Sequence, residues 1–557
     1  TASGYADATA QALDAGLDVI FQGDLARAPL FQAAVDRGLV PDSVIDRAAA
    51  RVLRLKFSLG LFDAPFADAA RAERLLRDST AHALARRAAV RSAVLLRNRG
   101  VLPLDPARLA SVALIGVDAG EPRLGGYSGA GRRVVSARDA LRARLGPARV
   151  RYAPGPGRGS PRFVTVPAVA LRSLAGSPGL SAEYFAGPDL GGAAVVSRVD
   201  PVIDFHWTFV PPAEGLDPAW FSARWRGTIT SPRSGTIRLG VAGTDGFRLF
   251  LGDSLVIDAW TEQGASERLV PVRCRAGTPV PVRLEFREPA GNGRVRLVWD
   301  VGVVDDGERR IAEAVQAARG AGVAVVMVGL EEGEFRDRAS LALPGRQEEL
   351  IRQVAATGTP TVVVVIGGGA VTMRSWLDRT EAVLDLWYPG EAGGEALADL
   401  LFGDAAPAGR LPITFPVSEG QLPLVYNHLP TGRGDDYDDL TGLPQFPFGF
   451  GLSYTRFAWS DLEVIPEPAS RLVTVRCTIA NTGTREGDEV VQLYLHHPVS
   501  ELARPVLSLA AFRRVALAPG ARVTLEFQVE RAGDGALDIA LGASSRDIRL
   551  RARVASR

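Results

Sequence analysis

The feature that most restricts this chain is a change of rhythm. Outside a central stretch, helical and apolar strand-like segments alternate; inside it, from about 160 to 302, nearly every segment alternates polar and apolar with period two. Ahead of the stretch lie a helix-compatible segment over 5–15, a strand-like run over 17–21, and a helix from Pro41-Asp42-Ser43 through Lys56 to Gly60. A helix over 80–96, a strand over 111–116 and a helix from Ala137 follow. Beyond the stretch the spacing predicts helices over 308–318, 346–356 and 392–402, and strands over 323–328, 361–366 and 382–386. Unbroken apolar strands set between helices belong to a parallel sheet covered on both faces. The central stretch, with Ala223-Arg224-Trp225, Ile237-Arg238-Leu239 and turns at Ser234-Gly235, Asp245-Gly246 and Ala276-Gly277, reads as a β-sandwich.

The simplest account is one α/β domain interrupted by a β domain. After Phe457 the pattern is all-β for about 100 residues, the size of one immunoglobulin-like sandwich. A length of 557 residues predicts three or four domains at roughly 150 each. Residues 1–65 cannot cover their own apolar side chains and are expected to belong to something larger. The start at Thr1-Ala2-Ser3, without methionine, reads as a missing true N-terminus.

Composition removes several functions. The 64 basic residues against 63 acidic ones lack the basic excess of a nucleic-acid binder. No run approaches the roughly 18 apolar residues of a membrane span. Cys274 and Cys477, about 200 positions apart, form neither a disulfide framework nor a zinc site and read as small core residues. Lys56 is the sole lysine, which leaves Schiff-base chemistry no other candidate. No cofactor and no metal are expected.

Ligands of open parallel sheets bind at the carboxyl ends of the strands. There the strand ending at Val328 runs into Gly329-Leu330-Glu331-Glu332-Gly333-Glu334-Phe335-Arg336-Asp337-Arg338. Carboxylates so crowded raise one another's pKa, so that one of them can hold a proton at neutral pH and serve as a general acid. A solvated charged loop is the competing reading. Other candidates are weaker. Gly155-Pro156-Gly157-Arg158-Gly159 and Gly367-Gly368-Gly369 lack phosphate-binding spacing and read as loops. His496-His497 reads as a surface pair, and Asp435-Asp436-Tyr437-Asp438-Asp439 as an acidic loop without the glycine and distal glutamate of a calcium hand.

These residues resemble glycoside hydrolase family 3. The resemblance rests on Glu334-Phe335-Arg336-Asp337-Arg338, Leu343-Pro344-Gly345-Arg346-Gln347, Leu386-Trp387-Tyr388-Pro389-Gly390-Glu391, Gly409-Arg410-Leu411-Pro412 and Pro447-Phe448-Gly449-Phe450-Gly451. Upstream, Leu59-Gly60-Leu61-Phe62-Asp63 and Leu95-Leu96-Arg97-Asn98 fit the same order. The insertion is similar to a protective-antigen-type β-sandwich through Gly179–Phe185, Trp225-Arg226-Gly227 and Asp245–Leu249. Relatives of that module bind calcium through paired aspartates; Thr244 ahead of Asp245 speaks against it here. The terminal part resembles a fibronectin type III-like domain through Asn481-Thr482-Gly483 and Gly487–Tyr494.

The implied architecture is multidomain α/β plus all-β: a (β/α)8 barrel remnant over 1–65, an α/β sandwich split into 79–160 and 303–455, the inserted β-sandwich over 161–302, and the terminal immunoglobulin-like sandwich over 456–557. The implied function is that of a retaining exo-β-glycosidase, foremost a β-glucosidase, on an oligosaccharide or an aryl or alkyl β-glycoside. Glu334 matches the acid/base, and Tyr127, Ser128 and Phe335 match positions near the substrate; Phe335 replaces the glycine that many members carry. The nucleophile of the family lies in a Ser-Asp segment slightly ahead of the helix read here over 5–15; none of Asp7, Asp14 and Asp18 follows such a serine, so none is assigned to it and the chain alone is expected to be inactive. A β-xylosidase, a two-chain enzyme, and a non-catalytic carbohydrate-binding or scaffold protein remain alternatives. A homo-oligomer or a missing barrel segment stays open, and the resemblance favours a periplasmic or secreted location.

Overall fold

The computed structural model describes residues 2–556 apart from 20–27, 77, 126–127, 129–130, 160–161, 209–210, 218–219, 262–263, 290–291, 332, 334–337, 432–435, 468–469, 501, 532 and 534. The chain forms two compact units, Thr1–Asp78 with Phe163–Val301, and Ser79–Arg162 with Gly302–Arg557.

The second unit is built on a six-stranded sheet in the spatial order Val94–Asn98, Ala382–Asp385, Thr361–Ile366, Val323–Gly329, Val112–Ile115, Val150–Ala153. Neighbours are parallel except at the first pair, where Val94–Asn98 runs antiparallel at the edge. Every residue of Val323–Gly329 and Thr361–Ile366 is buried. Successive side chains of a strand point to opposite faces, and the packing follows that alternation. Ala324, Val326 and Val328 meet Ile311 and Ala314 of helix Gly307–Ala318 and Leu350 and Val354 of helix Gln347–Ala355. Val323, Val325 and Met327 meet Leu141 of helix Ala137–Leu145 and Leu397 and Leu401 of helix Gly393–Phe402. A strand lined on both sides in this way must be apolar throughout, which is why the run was visible in the sequence.

The helix expected over 80–96 ends sooner. It spans Ser79–Ser92, and Val94–Asn98 is the edge strand, paired from Val94 to Asp385. Three consecutive apolar residues fit either state, and only the long-range pairing decides between them.

The terminal sandwich stacks a sheet of Phe457–Pro466, Leu472–Asn481 and Arg522–Glu530 on one of Ser508–Leu517, Gly487–His496, Leu537–Gly542 and Ile548–Val554. Cys477 sits fully buried in its core, where burial pushes the thiol up to about 11. Asn481 is also buried, and its amide donates to Arg485 O and Leu517 O at 2.8 Å each while its carbonyl accepts from Gly483 N at 3.0 Å, which fixes the turn. His496 and His497 are half-buried at and just after the end of Gly487–His496, not a surface pair.

In the first unit, residues 2–78 form helices Tyr5–Asp14, Ala28–Asp36, Asp42–Ser58 and Ala69–Leu76 around a small cluster of Ala6, Ala34, Val40 and Val44. Leu17, Asp18 and Val19 are not a strand, and both apolar residues among them are exposed. A strand needs a hydrogen-bonded neighbour, and the described residues of this segment contain none. Ile20 and Phe21 lie outside the described residues. Phe57 and Phe66 are also exposed.

The rest of this unit is a two-sheet β-sandwich. One sheet contains Ser266–Cys274, Gly235–Gly243, Asn292–Trp299, Asp204–Thr208 and Val164–Thr165; the other is centred on Pro279–Glu288, Phe221–Thr230 and Leu180–Ala186. Its first and last strands are neighbours, with Val164 opposite Trp299. The buried Asp200 ties the core together by accepting from Tyr184 Oη at 2.6 Å, Trp225 Nε1 at 2.8 Å and Arg198 Nε at 2.6 Å.

Within the second unit the terminal sandwich is joined to the sheet domain by a buried ion pair, Arg410 Nη2 to Glu489 Oε1 at 2.7 Å. A buried guanidinium deprived of its carboxylate destabilises far more than the pair's net contribution. Glu489→Ala is therefore expected to lower unfolding stability by about 3–5 kcal/mol, and the double change Arg410→Met, Glu489→Leu by much less. Urea denaturation of the three proteins checks this; equal losses in both variants would show that the pair has no such role.

Candidate active site

The carboxyl ends of the parallel strands lie along one edge of the sheet, and the loops leaving them contain most of the unusual chemistry of this unit. Two glycines set where those loops begin. A Cβ on Gly116 would lie 2.0 Å from the carbonyl oxygen of Met327, and one on Gly329 would lie 2.3 Å from that of Ile366. No side chain fits either gap, so the backbones stay in contact up to the point where they diverge.

The loop after Val323–Gly329 is held at its base by Gln347. This side chain, 3% exposed, accepts from Gly329 N at 2.7 Å and donates to Gly329 O at 2.9 Å and Pro344 O at 3.0 Å. It also donates to Arg158 O at 3.3 Å. Further along, Glu419 accepts from Ser340 Oγ at 2.6 Å and from the Leu341 amide. Those bonds, the Ser340 hydroxyl first, hold the Glu419 carboxyl below its usual range. Arg338 donates to Ser340 O at 3.3 Å and Ala370 O at 3.4 Å. Both ends of the loop are thus anchored. Glu334 and Phe335, the expected acid/base and its neighbour, lie outside the described residues, as do Glu332, Arg336 and Asp337.

The loop after Val112–Ile115 contains a charged cluster that spacing alone did not reveal. Asp118, its side chain 2% exposed, accepts from Arg158 Nε at 2.9 Å and Nη2 at 2.5 Å, with Arg123 Nε at 3.5 Å. Burial lowers the Arg123 pKa, against the opposing effect of Asp118; Tyr388 and Glu331 also act on it. Arg123 therefore links three loops electrostatically: its own, that of Glu331 and that of Tyr388. Its Nη1 is buried without a hydrogen-bond partner among the described residues, a donor available to an oxygen. Arg158 comes from the glycine-rich segment read as a plain loop. Asp118, three residues past the end of a parallel strand, could have been flagged by the carboxyl-end rule.

After Ala382–Asp385 the backbone turns sharply at Trp387, whose φ is 54°. A bulky residue in the left-handed region is strained and persists only where its surroundings hold it. Here Trp387 N donates to Asp385 Oδ1 at 3.0 Å, and the indole Nε1 donates to Ser92 O at 3.2 Å. Just beyond, Glu391 accepts from Arg132 N at 2.8 Å and Arg133 N at 3.4 Å, tying down the loop that carries Ser128. Ser128 is exposed, with its hydroxyl donating to Gly125 O at 2.9 Å; Tyr127 lies outside the described residues. Of the predicted site residues, the structure thus describes Ser128.

Among the described residues, no group of three or more His, Cys, Asp or Glu is arranged to hold a metal. Asp436 instead accepts from Gly442 N at 2.8 Å and Thr441 Oγ1 at 3.1 Å, closing its own turn; Asp435 lies outside the described residues. No helix among them is long and apolar enough to cross a membrane.

Comparison with known proteins accounts for this layout. The model of the glycosyl hydrolase family 3 C-terminal domain matches residues 93–454, and that of a fibronectin type III-like domain matches 489–538. A β-glucosidase of Rhizobium radiobacter is 35% identical over 592 aligned residues, 97% of this chain and 70% of that protein. A β-glucosidase from Streptomyces venezuelae, solved in complex with D-glucose, superposes with a TM-score of 0.66 at 29% identity, over 98% of this chain and 70% of its own. One from Kluyveromyces marxianus does so with a TM-score of 0.67 at 25% identity, over 99% and 72%. The first match takes in both parts of the split sheet and every strand-end loop described above, and on that ground the chain belongs to glycosyl hydrolase family 3.

Proposed function

We propose that this chain carries the acid/base half of a retaining exo-β-glycosidase that removes terminal non-reducing β-D-glucosyl residues from oligosaccharides or from aryl and alkyl glucosides. The observation that carries the proposal is the loop leaving the carboxyl end of Val323–Gly329, held by Gln347 at its base and by Glu419 at Ser340 and Leu341. The β-glucosidases to which the chain is similar support the choice of sugar.

Glu334 is assigned as acid and base. In the first step a carboxylate attacks the anomeric carbon, the glycosidic C–O bond breaks, and Glu334 gives its proton to the departing oxygen. In the second, Glu334 takes a proton from water; the water oxygen attacks the anomeric carbon and the glycosyl ester breaks, restoring both carboxyl groups. The two groups work at a separation of about 5 Å. Glu331 and Glu332 are neighbours of Glu334 in sequence, and like charge beside a carboxyl favours the protonated form. Tyr127, Ser128 and Phe335 are assigned to the substrate mouth.

The nucleophile is assigned to a barrel segment outside these 557 residues. The aspartates near the start are engaged locally: Asp7 accepts from Ser3 N at 2.8 Å and Gln11 Nε2 at 3.0 Å, and Asp18 pairs with Arg51 at 2.9 Å. The chain alone is expected to leave 4-nitrophenyl β-D-glucoside intact, and the chain joined to a barrel supplying the aspartate to hydrolyse it. Turnover by the chain alone would overturn the assignment.

In the active protein, Glu334→Gln is expected to slow an alkyl glucoside by on the order of 10²–10⁴-fold and an activated aryl glucoside much less in the glycosylation step. Equal slowing of both would mean that another residue is the acid. The loop anchor gives a separate expectation. Gln347→Leu leaves the Gly329 amide and three carbonyls without their partner, at a cost of about 1–3 kcal/mol for each such buried group left unsatisfied. A urea midpoint equal to that of the unaltered chain would show that the clamp is dispensable.

A further inference from the structure

Ile548 and Arg551 of the strand Ile548–Val554, with residues between 414 and 431 and between 436 and 448, line a cleft of about 1070 Å³. A second cavity of about 450 Å³ shares Val506, Leu507 and Arg551 with it and continues the space past His496. None of the strand-end loop residues described above lines either one. The larger volume is at the upper end of the roughly 300–1,000 Å³ of small-molecule clefts, and the continuation makes the space elongated.

Its chemistry narrows the occupant. Tyr426 stacks on Phe448 with ring centroids 4.2 Å apart and an interplanar angle of 15°, and meets the buried Tyr494 edge-on at 5.9 Å. The result is a stiff, flat wall with apolar area. Tyr437, 46% exposed, adds a second ring. Two carboxylates, Asp436 and Asp438, are balanced by two guanidiniums, Arg546 and Arg551. The Gly442 amide, then the Thr441 hydroxyl, hold the Asp436 carboxyl below its usual range, so it remains an acceptor.

The most specific sign is Ser545. The residue is part of the cleft lining and is 8% exposed, and its buried hydroxyl has no hydrogen-bond partner among the described residues. Its backbone is fixed by a bond from Ser545 N to Phe448 O at 3.0 Å. In the continuation, His496 Nδ1 is likewise buried without a partner among them. A buried polar atom left unpaired is costly unless something outside the chain pairs with it.

An apolar occupant would leave the Ser545 hydroxyl unpaired and would strip water from the four exposed charged groups, and a charged one would leave one sign in excess. A neutral chain of hydroxyl-bearing rings, apolar on its ring faces and both donor and acceptor at its edges, satisfies all of them. We infer that this cleft is an ancillary binding site for a neutral oligosaccharide, apart from the loop that carries Glu334. The choice of a glucose-based oligomer rests on the glycosidase reading; the site itself does not.

Titration calorimetry of the 557-residue chain with cellotetraose tests the inference without requiring turnover. One-to-one binding is expected, weakened about 5-fold by Ser545→Ala, the size of one lost hydrogen bond. Tyr437→Ala should weaken it at least as much, and neither variant should shift the melting temperature. Both should leave aryl-glucoside turnover of the active protein unchanged. Absence of binding up to about 10 mM, binding that neither variant alters, or tighter binding of tetragalacturonate would each overturn it. Inactivity of the barrel-joined protein on aryl glucosides, with cellotetraose binding and its loss in the variants intact, would sink the glycosidase reading and leave the cleft standing.

Discussion

Parallel strands that touch along their whole length can release their loops only at their ends. In this sheet the contact is kept to the last residue, because the backbone of each strand passes where the first side-chain carbon of its neighbour's terminal glycine would be. The Gly116 amide still donates to Ala153 O at 2.9 Å, and the Leu330 amide to Ile366 O at 2.9 Å, when the strands have already ended. The loops containing Asp118 and Glu331 therefore leave from adjacent strands instead of fraying apart, and that of Trp387 leaves from the strand beyond Thr361–Ile366. Residues more than 200 positions apart in sequence, Arg123 and Glu331, come within electrostatic reach. Gln347 then closes the base of the central loop upon its own strand.

How much of this could be read beforehand depended on whether the determining contact was local. The strand Val323–Gly329 was legible because burial on both faces writes itself into every residue. The inserted sandwich was legible because each strand has one inner face. Val94–Asn98 was not, since its state is decided by pairing with Ala382–Asp385 across nearly 300 positions. The run at Leu17 was misread for the complementary reason: its residues suit a strand, but the described residues nearby offer it no neighbour. At the candidate site, Glu334 is an assignment made from a motif, whereas Asp118 with Arg158 is a contact across 40 positions. Nor does the identity of Trp387 disclose its backbone angle, which glycine would adopt far more readily.

Several motifs that carried the family resemblance serve as joints and not as chemistry. Arg410 and Glu489 come from two of them and meet as the buried pair between sheet domain and sandwich. The Gly449 carbonyl of a third accepts from Gln492 Nε2 at 3.0 Å, and the same amide donates to Ala543 O at 2.8 Å. Tyr494 completes the joint by donating to Gln492 Oε1 at 2.5 Å. A polar joint of this kind is specific because each group is costly to leave unmatched. It positions the sandwich strands against residues 414–431 and 436–448 and so defines the walls of the cleft between them.

The pairing of Val164 with Trp299 has a consequence for how the chain folds. The point where the chain enters the inserted sandwich and the point where it leaves are adjacent strands, about 5 Å apart. For the sheet that it interrupts, the long excursion between Val150–Ala153 and helix Gly307–Ala318 thus has the end-to-end span of a short loop once the sandwich has formed. The entropy of closing a loop grows with its flexible length, and a folded insert with its ends together removes most of that length. Folding order then matters: a sandwich that forms first turns a remote pairing in the parallel sheet into a nearly local one. The two halves of the sheet can be far apart in sequence without being slow to find each other.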